Sequence, residues 1–257
     1  MTARGFYRAK GDACVSVSIV SHGHGEMVWK LVAKLQLFPE VSRIILTRNI
    51  PDNDGVVETD KTLFIQNTNP KGFGANHNAA FAHTTEPFFC VLNPDIELPT
   101  NPFPALLAAL NVGCASVLAP AVVNSVGSLE DSARHFPTLG QLATKLLGGH
   151  DGRYALQPTQ GPMPVDWVAG MFMLFRAQDF KAIGGFDENF FLYYEDVDIC
   201  TRLWKAGRPV MVCPQVQVVH NAQRASRKNL QFAKWHAASM ARYFLKHWGR
   251  FPRKSVS

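Results

Sequence analysis

Short apolar runs that alternate with helix-spaced segments constrain this chain more than any other feature of its sequence. Residues 15–20 (VSVSIV) read as a buried strand, followed by a Gly/His loop at 21–25 and a segment of helical periodicity reaching residue 38. Residues 41–46 and 63–66 are further strand candidates, with the turn-rich stretch 49–55 between them. A loop over 67–74 leads into a short helix at 75–83. Residues 88–92 (FFCVL) form a continuous apolar strand that runs straight into Asn93-Pro94-Asp95. Prolines punctuate 99–104, residues 105–110 are helical, and 115–118 return to strand. Helical crossovers are what parallel pairing requires, so the expected architecture is α/β, with a mostly parallel central sheet covered by helices on both faces. Ligands of such sheets gather beyond the carboxyl ends of the strands, so the loops after residues 20, 46, 66 and 92 should share one rim.

The second half is less regular. Residues 125–164 hold Gly, Pro and polar residues with one helical run near 139–147. Order resumes with a strand at 171–175, a short helix near 178–183 and the Gly184-Gly185 turn. Helical spacing over 195–206 ends at Gly207, two short strands are expected at 210–213 and 216–219, and 229–248 is a helix rich in aromatic and basic residues. The expected division is a tail at 1–13, one domain at 14–222 with halves 14–120 and 121–222, and a C-terminal helical element at 223–257.

Composition excludes several classes. At 47% hydrophobic and 18% charged residues, the chain is not of the disordered type. No run of eighteen apolar residues predicts a membrane-spanning helix, and the first thirteen residues lack a signal-peptide core. Five cysteines without a CxxC pair read as reduced, mostly buried thiols. A cytoplasmic location is therefore expected. The net charge of +6 is unevenly spread: residues 199–257 hold twelve Lys/Arg and no acid, leaving 14 basic against 20 acidic residues elsewhere. A basic tail on an acidic body points to an anionic partner, whether nucleic acid, a membrane surface or a phosphorylated substrate.

Two acidic features could carry chemistry. Asp95 follows a buried strand and a stiff proline, which suits a carboxylate ligand for a hard divalent cation on a diphosphate; an Asx-type turn residue fits the same spacing. Residues 187–198 place five carboxylates among six apolar or aromatic residues. If Glu195 opens a helix, Glu195 and Asp198 lie one turn apart while Asp196 points elsewhere. Acids there serve either as caps for the helix dipole or, desolvated by aromatic neighbours, as proton acceptors.

Taken together, Val15-Ser16-Val17-Ser18-Ile19-Val20, Leu92-Asn93-Pro94-Asp95, Val168-Ala169-Gly170-Met171 and the block at 184–207 resemble the family 2 glycosyltransferases, with the rhamnosyltransferase-like branch nearest in its Asn-Pro-Asp motif and GGFDE block. The likeness runs from about Cys14 to Trp248. It implies a GT-A fold, inverting transfer to a hydroxyl, and Mg²⁺ or Mn²⁺ as cofactor. Asn93-Pro94-Asp95 stands where the family has its Asp-x-Asp motif, so Asp95 is the implied metal ligand, with His220 matching a histidine some members add. Asp196 occupies the place of the catalytic base, and Glu195 orients the acceptor or supports the base. Ser21, His22, Gly23, Asn49, Gly72, Gly74, Asn78, Asn93 and Asp95 fall on the donor side, and Trp167, Gly170, Tyr194 and Glu195 on the acceptor side. The irregular 125–164 stretch is expected to shape that acceptor side. The implied partners are a dTDP- or UDP-sugar and a glycan or lipid-linked acceptor, with rhamnose, galactose and glucose all open. One departure concerns the base: Thr47-Arg48-Asn49-Ile50-Pro51-Asp52 replaces an acidic stretch common in the family.

For the C-terminal helix three readings stand: an element lying on the inner membrane face, a helix packed on the body with a solvated basic side, or a surface joining two copies. A nucleic-acid binder is disfavoured, since no nucleic-acid motif is present in the body. A nucleotidyltransferase would want a basic phosphate loop near the first strand, and residues 21–25 contain no Lys or Arg. An inactive relative is disfavoured because Asp95, Glu195 and Asp196 are all retained.

Overall fold

The structure is a computed structural model that describes residues 14–52, 55–138, 152–221, 230–248 and 252. The expected tail at 1–13, the helical run near 139–147 and residues 223–229 lie outside the described residues. Eleven strands and six helices are seen among them. In chain order these are β1 Val15–Ser21, α1 Glu26–Gln36, β2 Val41–Arg48, β3 Thr62–Gln66, α2 Phe73–Phe81, β4 Phe88–Leu92, β5 Ile96–Glu97 and α3 Phe103–Val112. Then follow β6 Val117–Asn124, β7 Ala133–Arg134, β8 Met163–Pro164, β9 Trp167–Val168, β10 Phe172–Arg176, α4 Ala177–Ala182, α5 Glu195–Lys205, β11 Val210–His220 and α6 Leu230–His247.

The main sheet has the order β3-β2-β1-β4-β10-β6-β11-β5, with β8 paired to β11, while β7 and β9 form a separate pair. β3, β2, β1 and β4 are parallel, as are β6 and β11; β10 runs antiparallel between β4 and β6. The mostly parallel expectation therefore holds. Strand β6 crosses the boundary expected near residue 120, and β10 inserts second-half residues beside β4, so the two expected halves build one sheet.

Burial follows the period of two. In β1, Val15, Val17 and Ile19 face a core completed by Val28, Leu31 and Leu35 of α1 and Phe103, Leu106 and Leu110 of α3. The alternate residues Ser16 and Ser18 are also fully buried, on the opposite side, where Ser16 Oγ donates to Glu86 and Ser18 Oγ lies 2.8 Å from His77 Nδ1. That second core joins α2, α4, α5 and α6 through Phe89, Val91, Phe180, Phe186, Ile199, Leu203 and Tyr243.

Two expectations need correction. The strands expected at 210–213 and 216–219 are one strand, β11, whose pairing with β6 jumps from Cys213–Pro120 to Gln217–Ala121. Pro214 and Pro120 lack N–H donors, so the ladder bulges there without ending. The two-residue strands β5, β7, β8 and β9 have no counterpart among the expected elements, because so short a segment carries no periodicity.

Candidate active site

The ends of β1, β2, β3, β4, β6 and β11 and the start of β10 lie along one rim, and this rim gathers the candidate residues. On the Asp95 side, Asn93 N–H donates to Met171 O at 2.9 Å and Ile96 N–H to Asn93 O at 3.3 Å, turning the chain sharply after β4. Ile96 pairs with His220, which brings residues 95 and 220 together. His220 Nε2 lies 3.0 Å from Asp95 Oδ2, and its Nδ1 lies 2.5 Å from Glu130 Oε2. The bond to Asp95, reinforced by Glu130, pushes the imidazole up to about 9. Asp95 Oδ1 is buried without a hydrogen-bond partner among the described residues. An orphaned carboxylate oxygen, beside an imidazole that gives up its proton as a cation binds, is a donor set that Mg²⁺ or Mn²⁺ accepts, and it leaves most coordination positions to water and phosphate oxygens. The two carboxylates grip opposite nitrogens of His220 and do not converge, and no group of three His, Cys, Asp or Glu among the described residues could hold a metal alone. Glu130 carries no signal in the sequence, since nothing in its irregular surroundings marks it.

The expected donor-side residues form a framework. Ser21 Oγ, fully buried, donates to Asp52 Oδ2 at 2.8 Å. Asn49 accepts from Lys71 N–H and donates to Lys71 O, both at 2.8 Å, and its amide lies 3.2 Å from His22 Nε2. Asn67 Nδ2 donates to both Asn49 Oδ1 and Asn76 Oδ1 at 2.7 Å. This buried asparagine triad holds the loop that leads into α2. Gly23 takes the left-handed φ of +78° with Ile50 nearby. Gly72 and Gly74 do allow close approach, but of protein: a Cβ on Gly72 would sit 2.7 Å from Phe191 O, and one on Gly74 2.7 Å from Phe186 Cβ. Asn78 likewise commits its amide to Phe186, accepting its N–H and donating to its carbonyl, both at 2.9 Å, and donating to Glu188 at 3.0 Å. These three residues therefore dock α2 on the 186–191 loop, which tertiary contact alone reveals.

Across the rim, Tyr193 and Tyr194 both adopt positive φ, 69° and 67°, immediately before α5. Two consecutive bulky residues in this region are strained and persist only when their surroundings enforce it. The enforcing contacts come from α6: Ser239 Oγ donates to Leu192 O at 2.9 Å, Trp235 stacks on Phe191, His236 packs on both tyrosine rings, and Tyr243 on Tyr194. The turn aims Glu195 and Asp196 differently. Glu195 is buried with Oε2 unpartnered, and burial beside Asp196 raises its proton affinity far above the carboxylate range. Asp196 is half-buried and also raised by desolvation, but Gly170 N–H at 3.1 Å and Val197 N–H at 2.8 Å favour its ionised form. Burial thus raises both carboxyls, and Asp196 is the one that keeps two backbone N–H donors and partial exposure. Gly170 thus touches Asp196 directly, while Trp167 is half-buried with Nε1 donating to His135 O at 3.0 Å.

Asp198 does not join them. Fully buried, it accepts from Arg202 at 2.7 Å, Lys246 at 2.7 Å and His247 at 2.8 Å, and these bonds draw its carboxyl down to about 2 against the cost of burial. Arg202 also caps the Ile183 and Gly185 carbonyls at 2.7 Å. Asp198 therefore ties α5 to both the Gly184-Gly185 turn and α6.

An α/β sheet that gathers an Asn-Pro-Asp turn and a carboxylate pair on one rim is the GT-A architecture of the solved glycosyltransferases on which it superimposes. Residues 16–184 match the Glycosyl transferase family 2 profile, and the chain belongs to that family. Residues 153–228 also match a profile described as the N-terminal domain of galactosyltransferase. Rhamnosyltransferase WbbL of Escherichia coli is 31% identical over 245 residues, covering 89% of this chain and 92% of that protein. An N-acetylglucosaminyl-diphospho-decaprenol L-rhamnosyltransferase of Mycobacterium tuberculosis is 34% identical over 152 residues, 54% of this chain and 48% of that protein. Among solved structures, GalNAc-T7 with UDP, GalNAc and Mn²⁺ superimposes with a TM-score of 0.69 at 13% identity, over 93% of this chain and 49% of that one, which supports the fold.

Proposed function

We propose that this glycosyltransferase moves a sugar, rhamnose by likeness to its relatives, from a nucleotide-diphosphate donor (a dTDP- or UDP-sugar) to a hydroxyl of a lipid-diphosphate-linked saccharide, with inversion. The placement of Glu195 and Asp196 on a braced, strained turn across the rim from Asp95 carries this reading. Ionised Asp196 takes the proton of the acceptor hydroxyl as its oxygen attacks the anomeric carbon. The bond to the diphosphate breaks on the opposite face and its electron pair leaves with the nucleotide. Glu195, held neutral, donates a hydrogen bond toward the acceptor and keeps a second negative charge from Asp196. A divalent cation held by Asp95 and His220 would supply Lewis-acid stabilisation of the leaving diphosphate.

Donor binding tests the metal side. With Mg²⁺ or Mn²⁺, a cognate sugar nucleotide at a hundred times its Kd should add about 2.7 kcal/mol, a rise of about 5 °C or more in Tm. Asp95→Asn should abolish most of that rise; an equal rise in chelator would sink the metal assignment.

The outward face of α6 exposes Leu230, Leu245 and Trp248 beside exposed Lys234 and Arg242. Among the described residues no helix is long and apolar enough to cross a membrane. We read this face as a lipid contact that brings the enzyme to its acceptor on the cytoplasmic side. Co-sedimentation with vesicles containing anionic lipid should fall at least about tenfold on Leu245→Glu/Trp248→Glu, since a charge at each position opposes burial in the bilayer interface. Concentration-dependent dimerisation lost in that variant, without vesicle binding by the wild type, would assign the face to a second copy instead.

A further inference from the structure

Strands β7 and β9 pair Ala133 with Val168 and Arg134 with Trp167, and two residues beyond Val168 the Gly170 N–H meets Asp196. The pair therefore carries Arg134 and Trp167 to the edge of the carboxylate assigned as base. The Arg134 guanidinium lies 5.9 Å from the Trp167 ring centroid, and the ring is fixed by its bond to His135 O. Arg134 also reaches Asp131 at 2.9 Å, and Arg153, whose backbone bridges to Arg134, approaches the same carboxylate at 3.5 Å. Two guanidinium groups thus share Asp131, and their side chains are 20% and 51% exposed. The nearby Asp166 accepts from Phe136 N–H and Tyr154 Oη, both at 2.7 Å. Burial raises the proton affinity of both Asp196 and Tyr194, and Arg134 lies close enough for its charge to oppose that rise.

A fixed indole face suits the apolar side of a pyranose ring, and guanidinium forks suit phosphate oxygens. We infer that Arg134 and Arg153 bind the phosphate of a glycosyl-phosphate acceptor whose sugar ring lies against Trp167 with its hydroxyl toward Asp196. This deepens the proposed transfer and rests on it. The two arginines touch no reacting atom; they determine which acceptor is taken, favouring sugars whose anomeric carbon bears a phosphate ester. Neither residue carries any signal in the sequence, because both lie in the irregular stretch between β6 and β9.

The test is calorimetric binding to the full chain, with dTDP or UDP and Mg²⁺ filling the donor side. The probes are a short-chain alkyl diphospho-N-acetylglucosamine and the alkyl N-acetylglucosaminide that lacks the diphosphate. The wild type should bind the diphosphate probe at least about tenfold more tightly, the scale of one or two charge-assisted hydrogen bonds. Arg134→Gln/Arg153→Gln should lose most of that margin while its affinity for the glycoside stays within about threefold. Arg134→Lys/Arg153→Lys should retain part of it, which separates lost charge from lost fold. Equal binding of the two probes by the wild type, or an undiminished margin in the Gln variant, would overturn the inference. Failure of the transfer itself has a different signature, wild-type turnover in an Asp196 variant.

Discussion

Asp196→Asn should fold, bind sugar nucleotide, and turn over about 10²–10⁴-fold more slowly. The size follows from what is removed. A hydroxyl is a poor nucleophile until its proton has somewhere to go, and Asp196 is the partly exposed member of the carboxyl pair, with two backbone N–H groups that favour its carboxylate form. The amide can still accept one of the two backbone N–H bonds from Gly170 and Val197, while the other N–H must face an NH₂ group. A modest loss of stability is therefore expected alongside the loss of turnover, and retained nucleotide binding is the control. The neighbouring position behaves differently. Burial beside Asp196 raises the proton affinity of Glu195 well above that of an ordinary carboxylate, so Glu195→Gln mimics the protonated acid and should cost less than about tenfold in kcat. Steady-state kinetics with donor and acceptor would check both, and a larger loss in Glu195→Gln than in Asp196→Asn would reverse the assigned roles.

Asp198→Asn should be the most destabilising change at the site, by about 3–5 kcal/mol, because it leaves Arg202, Lys246 and His247 facing an uncharged amide in a buried setting. Urea unfolding would measure this, and a loss under about 1 kcal/mol would show that the cluster contributes little. The same cluster sets an acid limit. The folded carboxyl titrates at about 2, below the unfolded range near 3.9, so its contribution is present above about pH 4 and is lost as pH falls toward 2. In Asp198→Asn that part of the acid dependence should vanish. Activity should fall with stability, since α6 also holds the strained turn through Ser239, His236 and Tyr243.

Much of the fold is legible in the amino-acid sequence itself. The run at 88–92 is legible as a strand because an apolar segment buried on both faces of a sheet needs no alternation, and 15–20 is legible from its alternation of valine and serine. The rim follows from connectivity, and with it Asp95 and His220, 125 residues apart yet 3.0 Å from one another. Other features lie outside local pattern. Tyr193 and Tyr194 give no hint of left-handed backbone, since tyrosine rarely takes it and only the packing of α6 makes it persist. Asp198 reads like its acidic neighbours, yet its role comes from Lys246 and His247 nearly fifty residues downstream. Gly72, Gly74 and Asn78 signal a close approach without saying to what, and the answer lies more than a hundred residues along the chain.

The antiparallel strand β10 also governs the order in which the molecule can be completed. β4 and β6 are separated in sequence by the short strand β5 and helix α3, but in the sheet they touch only through β10, which arrives some fifty residues after β6. As the chain emerges from the ribosome, β4 must present an unpaired edge until about residue 176 has been made. Strands β1 to β4 can pair among themselves early, whereas the sheet is joined across its middle only when β10 arrives. Gly170, just ahead of that strand, bonds to Asp196 of α5, so the joining of the sheet also sets the backbone against which α5 later docks.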